Sequence, residues 1–256
     1  MEFKRDVKKQ FGRSANFYVN SDIHRKGGDL NKLVDMAHTN GNEEVLDVAT
    51  GGGHTANAFA PLVRKVTAMD LTPEMLTAAE KFIKGNGHTN VEFVEGDAEK
   101  MPFPDESFDL VTCRIAPHHF PNIENFISEV YRVLKPSGQF LLDDNVVPED
   151  DELDQFYNSV EKMRDYSHYR AWKKTEWLRM LELNEFETQV LYRFEKQFEF
   201  ENWCNRMHLS DTEKAALNEF MLKTSEKVKH KFRIRINNNQ IESFYGEAIL
   251  LKAIKG

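Results

Sequence analysis

Cysteine is nearly missing from this 256-residue chain: two residues, Cys113 and Cys204, allow one disulfide at most. A disulfide-stapled secreted framework is excluded, and free thiols in the cytoplasm are expected. Long apolar runs are also missing; none approaches the roughly 18 residues that span a bilayer. The opening Met1-Glu2-Phe3-Lys4-Arg5-Asp6 has no apolar core, so no signal peptide is expected there. Basic charge is in deficit, with a formal net charge of -8 and a pI near 5.7. A binder of duplex nucleic acid would need a basic footprint instead. Metal-ligand spacing is absent too. The nine histidines include no His-x-x-x-His pair, there is no Cys-x-x-Cys, and no metal is expected. A Gly-x-Ser-x-Gly elbow does not occur, and Cys113 has no evident nucleophile partner in sequence.

What is present is a soluble composition, 40% hydrophobic and 30% charged, long enough for one well-buried α/β domain. Its centre is Val45-Leu46-Asp47-Val48-Ala49-Thr50-Gly51-Gly52-Gly53-His54-Thr55. A short apolar strand with an acid inside it breaks into a glycine triplet, and a helical pattern follows at once. The glycines allow close backbone approach of a ligand, and a helix N-terminus offers unpaired N–H groups. Gly51-x-Gly53-x-x-Ala56 also satisfies the dinucleotide fingerprint, so the triplet alone leaves two cofactor classes open. Asp47 separates them. A carboxylate there repels a pyrophosphate but suits a cationic amine, as in S-adenosylmethionine (SAM), whose own carboxylate a helix N-terminus could take.

The chain continues as strands separated by helical patterns: strand 44–49, helix 54–63, strand 65–70, helix 73–84 and strand 91–94. Strand 108–113, helix 123–134 and strand 139–144 follow, the last after a Lys135-Pro136-Ser137-Gly138 turn. Such βαβ units predict a parallel sheet covered on both faces. Before them, residues 1–26 read as one or two short helices and Asp29 caps a helix to about Thr39. After Pro148 come a helical stretch 149–182, a long strand 186–200, helices over 201–232 and a last strand 241–254.

Several residues are candidates for chemistry. Asp70 ends the second strand where a ribose hydroxyl pair would lie. Asp97 follows the third, placed to accept from an exocyclic amine. Arg114 and the pair His118-His119 follow the fourth, on the lip of the crevice. Adjacent histidines leaving a strand point in different directions, so one is expected to meet a substrate. Tyr18, His24, Trp172, Trp177, Trp203 and Phe220 could roof an apolar substrate, each competing with plain core packing.

These segments resemble the class I SAM-dependent methyltransferases. The resemblance rests on Val45–Gly53, Asp70, Gly96-Asp97-Ala98, Met101-Pro102-Phe103, Ser107-Phe108-Asp109-Leu110 and Arg132-Val133-Leu134-Lys135-Pro136-Ser137-Gly138 in order. The branch most similar is that of the ubiquinone/menaquinone-biosynthesis C-methyltransferases. Cys113-Arg114-Ile115-Ala116-Pro117-His118-His119-Phe120 is similar to a bacterial sub-branch of small-molecule enzymes. Ala49 stands where many members have glycine, and the end of strand four differs from the quinone enzymes. The resemblance implies an α/β, doubly wound, Rossmann-like seven-stranded sheet, mostly parallel with its last strand antiparallel. It implies one domain: N-terminal lid helices (1–40), a SAM-binding core (41–148) and a C-terminal part with a helical cover (149–256). SAM would lie along Asp47, Ala49, Thr50, Gly51, Gly52, Gly53, Asp70, Leu71, Asp97, Ala98 and Arg114. His118, His119 or His24 would serve as a base where the acceptor must lose a proton. Partners would be a small-molecule acceptor of C-, O- or N-methylation and at most a second copy of the chain. Two rival readings are a non-catalytic SAM sensor or scaffold and a hydride-transferring oxidoreductase.

Overall fold

The computed structural model describes residues 2–19 and 28–256, with side chains for 3–12 and 28–256. Seven strands form the main sheet in the order β3-β2-β1-β4-β5-β9-β7. Their ranges are β1 Glu44–Val48, β2 Lys65–Asp70, β3 Val91–Glu95, β4 Phe108–Arg114, β5 Leu134–Val147, β7 Phe186–Glu199 and β9 Gln240–Lys255. β1 to β5 run parallel, while β9 runs antiparallel between β5 and β7. The expected antiparallel last strand is therefore present. Two short strands extend the count: β6, Trp172–Lys173, pairs with β5, and β8, Arg235–Asn237, forms a hairpin with β9.

The parallel strands are buried on both faces, as their near-continuous apolar runs require. One face, with Leu46, Val111, Phe140 and Leu142, packs under Ile123–Val133 (α5) and Lys174–Leu183 (α7). The other, with Val45, Val66, Leu110 and Leu141, takes Gly28–Ala37 (α2), His54–Phe59 (α3) and Pro73–Gly85 (α4). A third core forms where Asp151–Arg164 (α6), Phe200–Asn205 (α8), Asp211–Leu222 (α9) and Glu226–Lys231 (α10) close around Phe244. Glu2–Val19 (α1) lies against α4.

Three local readings change. The helix after the glycine triplet is only six residues long and passes into a 3₁₀ turn at Ala60–Leu62, because Pro61 removes a donor. Lys135–Gly138 is a bulge inside β5, not a turn before it. Phe108 pairs with Leu134 and then Leu110 with Gln139, with Ser137 at φ +62°. The stretch 149–182 divides into α6, a loop, β6 and α7. Both cysteines are free and buried.

Candidate active site

At the carboxyl ends of β1, β2 and β4 the sheet opens into a cavity of about 1040 Å³, its open mouth included. In a doubly wound sheet this is where ligands bind. Asp47, Ala49, Thr50, Gly51, Gly52, Asp70, Leu71, Asp97, Ala98 and Arg114 all line it, from four separate connections. Gly53 is not in the wall. It sits at φ +82°, and a Cβ there would come within 2.9 Å of Ala79 Cβ and Ile83 Cδ1, so its bareness serves the packing of α4. Gly51 differs: it holds φ +52°, and an added Cβ would meet only Ala49 O at 4.0 Å. That methyl would take up ligand space.

Asp47 is buried and accepts from Thr50 Oγ1 at 2.6 Å, Thr112 Oγ1 at 2.9 Å and Ala56 N at 3.2 Å. Burial pushes its carboxyl up to about 6. Much of its hydrogen-bonding capacity thus holds the turn, a task that sequence reasoning had not assigned to it. Asp70 likewise braces the wall, accepting from Gly51 N and Thr72 N at 2.9 Å each. Two non-glycine residues in the wall hold left-handed backbone, Ala49 at φ +54° and Ile115 at φ +55°. For a β-branched residue this is strained, and such strain gathers at functional sites.

Four carboxylates (Asp47, Asp70, Asp97 and Glu99) and two cations (Lys4 and Arg114) line the cavity. Lys4 reaches in from α1 to Asp97 at 2.6 Å and Glu99 at 2.5 Å. Arg114 donates to Asp29 Oδ2 at 2.6 Å from its terminal nitrogen and 3.1 Å from Nε, with Asp143 Oδ2 3.2 Å away. This acid-rich wall with a bare glycine fits SAM, which carries an ammonium, a sulfonium, ribose hydroxyls and an exocyclic amine. It would repel a pyrophosphate.

The histidines separate as their adjacency requires. His118 turns away from the cavity. Its Nδ1 bonds Asp144 Oδ1 at 2.6 Å, and its backbone N–H donates to Asp144 Oδ2 at 2.9 Å. Burial lowers its pKa, but the Asp144 charge outweighs that and the net shift is upward. His119 lines the cavity. Its Nδ1–H donates to Ser167 O at 2.7 Å, and its ring meets Phe11 edge-on at 5.0 Å. Burial first, and the nearby His118 second, push it down to about 4, so it is neutral at pH 7.

The Tyr18 side chain and the whole of His24 lie outside the described part of the chain. The aromatic roof does not form from the other residues named for it. Trp177 and Trp203 are core, Trp172 packs on the core and Phe220 stacks on Phe156, all outside the cavity wall. Val7, Phe11 and Phe120 supply apolar wall instead, together with Met69, Leu71, Met75 and Ile115. Lys4, Glu99, Ile115, Asp143 and Asp144 went unassigned in the sequence. The one signal was a pair of acids, Asp143-Asp144, inside an apolar strand. Among the described residues no group of three or more His, Cys, Asp or Glu is arranged for a metal, and no helix is long and apolar enough to cross a membrane.

A Rossmann-like sheet with reversed last strand, a glycine turn after β1 and an acid ending β2 define a class I methyltransferase. A protein-family profile described as a methyltransferase domain matches residues 46–142. The uncharacterized methyltransferase YcgJ of Bacillus subtilis is 37% identical over 96% of this chain and 97% of its own. The crystal structure of YcgJ superposes with a TM-score of 0.87 over 89% and 97% of the two chains. A candidate methyltransferase from Bacillus halodurans is 57% identical, with a TM-score of 0.88 over 90% of this chain and 99% of that one. Demethylmenaquinone methyltransferase of Chlorobaculum tepidum is 39% identical, but over only 44% of this chain and 46% of its own. The chain belongs to the SAM-dependent methyltransferases, and SAM is its cofactor. The oxidoreductase and non-catalytic readings give way.

Proposed function

We propose that the enzyme methylates a small-molecule acceptor bound beside His119, and that His119 takes the proton the acceptor loses. The observation carrying this reading is His119 itself. It shares the cavity with Gly51 and Asp70, and its Nδ1 is committed to the Ser167 carbonyl. A carbonyl only accepts, so the neutral ring carries its proton on Nδ1 and a lone pair on Nε2. That nitrogen has no hydrogen bond to any described residue. When bound, SAM supplies an already activated methyl group, so the protein mainly positions and desolvates. Asp70 would accept from the ribose hydroxyls and Asp97 from the amine of the base, with Lys4 shifting aside. Asp47, Ala49, Thr50, Gly51, Gly52, Leu71, Ala98 and Arg114 would complete the cofactor wall, and Gly53 would support it from behind.

A neutral base is suited to this place, because a fixed cation beside a sulfonium would be repelled. The wall of Val7, Phe11 and Phe120 supports a compact, partly apolar acceptor. The acidic chain, at -8, disfavours a nucleic acid one. C-, O- and N-methylation all satisfy this chemistry where an acceptor proton must leave. His119→Asn keeps a polar side chain but removes the titrating nitrogen. It should lower transfer of label from SAM to a metabolite panel on the order of 100-fold, with SAM affinity unchanged. His118→Asn should perturb stability more than SAM binding. Full turnover by His119→Asn would leave catalysis to positioning alone.

A further inference from the structure

The loop joining α6 to β6 carries buried groups that the proposed chemistry has not used. Asp165, Ser167 and His168 are all at most 3% exposed. Asp165 Oδ1 accepts from Ser167 N at 2.8 Å and from Ser167 Oγ at 2.5 Å. Its Oδ2 stands 4.0 Å from His119 Nε2. The same short turn therefore presents a carbonyl to one nitrogen of His119 and a carboxylate toward the other.

Other elements set the rest of the field. The His118 ring of the β4 connection lies 4.2 Å from His119, backed by Asp144 of β5. From α6, Glu161 and Arg164 pair with one another, and Lys162 donates to the Tyr166 and His168 carbonyls. His168 is held neutral by burial, its Nε2 bonded to Asn158 Oδ1 at 2.9 Å. α1 closes the outer side, with Phe11 on His119 and Phe3 edge-on to Tyr169 at 5.6 Å. Among these groups Asp165 is the carboxylate that faces Nε2.

We propose that Asp165 is a positioning residue for methyl transfer: it folds the loop that fixes the His119 ring, and it is the counter-charge for the proton that Nε2 receives. The inference rests on His119 being the base. In the step concerned, the acceptor's bond to hydrogen breaks and an N–H bond forms at Nε2. The electron pair stays on the acceptor atom for its new bond to the methyl carbon, whose bond to sulfur would break with that pair left on the sulfur. The imidazolium then faces a carboxylate that has no other hydrogen-bonded cation among the described residues. Asp165 neither touches the reacting atoms nor takes the proton.

The test uses the full chain with labelled histidine nitrogens and aspartate carboxyl carbons, in the presence of S-adenosylhomocysteine. The nitrogen signals of His119, assigned with His119→Asn, should show a single Nδ1–H tautomer at pH 7. Asp165→Asn keeps the bonds to Ser167 but removes the charge. Proton occupancy of His119 at pH 5 should then fall about tenfold, as expected on losing an opposite charge at this range. Asp165→Ala should also mix the tautomers. In the wild-type chain, which needs no variant to fold, the Asp165 carboxyl carbon should inflect at the same pH as His119. Unchanged occupancy in a folded Asp165→Asn protein, or independent titration of the two wild-type groups, overturns the proposal. A tautomer that stays fixed in Asp165→Ala overturns the positioning role. Full turnover by His119→Asn removes the base and leaves these titrations unaltered, so the two failures are distinguishable.

Discussion

Asp70 and Gly51 meet in one hydrogen bond, 2.9 Å from the glycine N–H to the carboxylate, and the second Asp70 oxygen holds Thr72 N–H. Removing the carboxylate therefore acts twice, on ligand hydroxyls and on two backbone donors. Asp70→Ala should weaken SAM binding about 10- to 100-fold, since a charged hydrogen bond is worth roughly 1.5–3 kcal/mol. Calorimetry returning the wild-type Kd would remove Asp70 from the site. The glycines divide between ligand and fold. Gly51→Ala meets nothing closer than 4.0 Å, so its cost to the apo fold is the left-handed φ of +52°, roughly 1–2 kcal/mol; the melting temperature should drop by a few degrees while SAM binding is abolished. Gly53→Ala drives a methyl to 2.9 Å from Ala79 and Ile83 and should destabilise the apo fold itself. Normal SAM binding by a folded Gly51→Ala protein would reduce the loop to a turn. The glycine triplet was legible in sequence, but its division of labour was not. That depends on α4 approaching from residues 79 and 83, a distance no local pattern encodes.

At the scale of elements, the strands of the core were readable because parallel strands buried on both faces give short, nearly unbroken apolar runs. Residues 135–138 misled, since Pro, Ser and Gly spell a turn locally, yet Leu134 and Gln139 on either side both pair with β4 and keep the segment in the strand as a bulge. Less was legible of α1, whose polar-aromatic sequence has no sheet partner. Its charges show its position only in three dimensions: Lys4 on Asp97 and Glu99, and Lys8 on Glu95 at 2.8 Å. The Lys4–Asp97 contact must rearrange if the base of SAM takes Asp97. Deleting residues 1–26 should leave a folded core and a SAM Kd within about tenfold, but lower methyl transfer by exposing the sulfonium to water. Protease protection of this segment that is indifferent to SAM would count against a lid.

The whole molecule carries a pH dependence that no single segment of sequence announces, because its parts converge from α2, β1, β4, β5 and β7. Burial raises Asp143 to about 7, which nearby Lys196 and Arg114 only partly offset. Asp47 stands at about 6 for the same first reason. Their unfolded carboxyls titrate near 3.8. A raised folded value means that their stabilising contribution is complete below that point and is lost as pH climbs through 6 and 7. Asp29 works oppositely. Burial alone would raise it, yet the Asp143 carboxyl and Arg114 bring it down to about 2, so its contribution is lost only in acid. His119 and His168, kept neutral in the fold, act against this loss up to about pH 6.5, so the Asp143 share is read as a difference. In urea unfolding, wild type should lose on the order of 1–3 kcal/mol relative to Asp143→Asn between pH 5 and pH 8, and a variant curve parallel to wild type would contradict the assignment.

The role of His119 as base for a small-molecule acceptor is tested most directly by methyl transfer itself. The full chain, incubated with methyl-labelled SAM and a panel of small metabolites, should place label in a small-molecule product. His119→Asn should bind SAM with the wild-type Kd and transfer on the order of 100-fold less label. Label appearing in protein or nucleic acid instead, or undiminished transfer by His119→Asn, would contradict it.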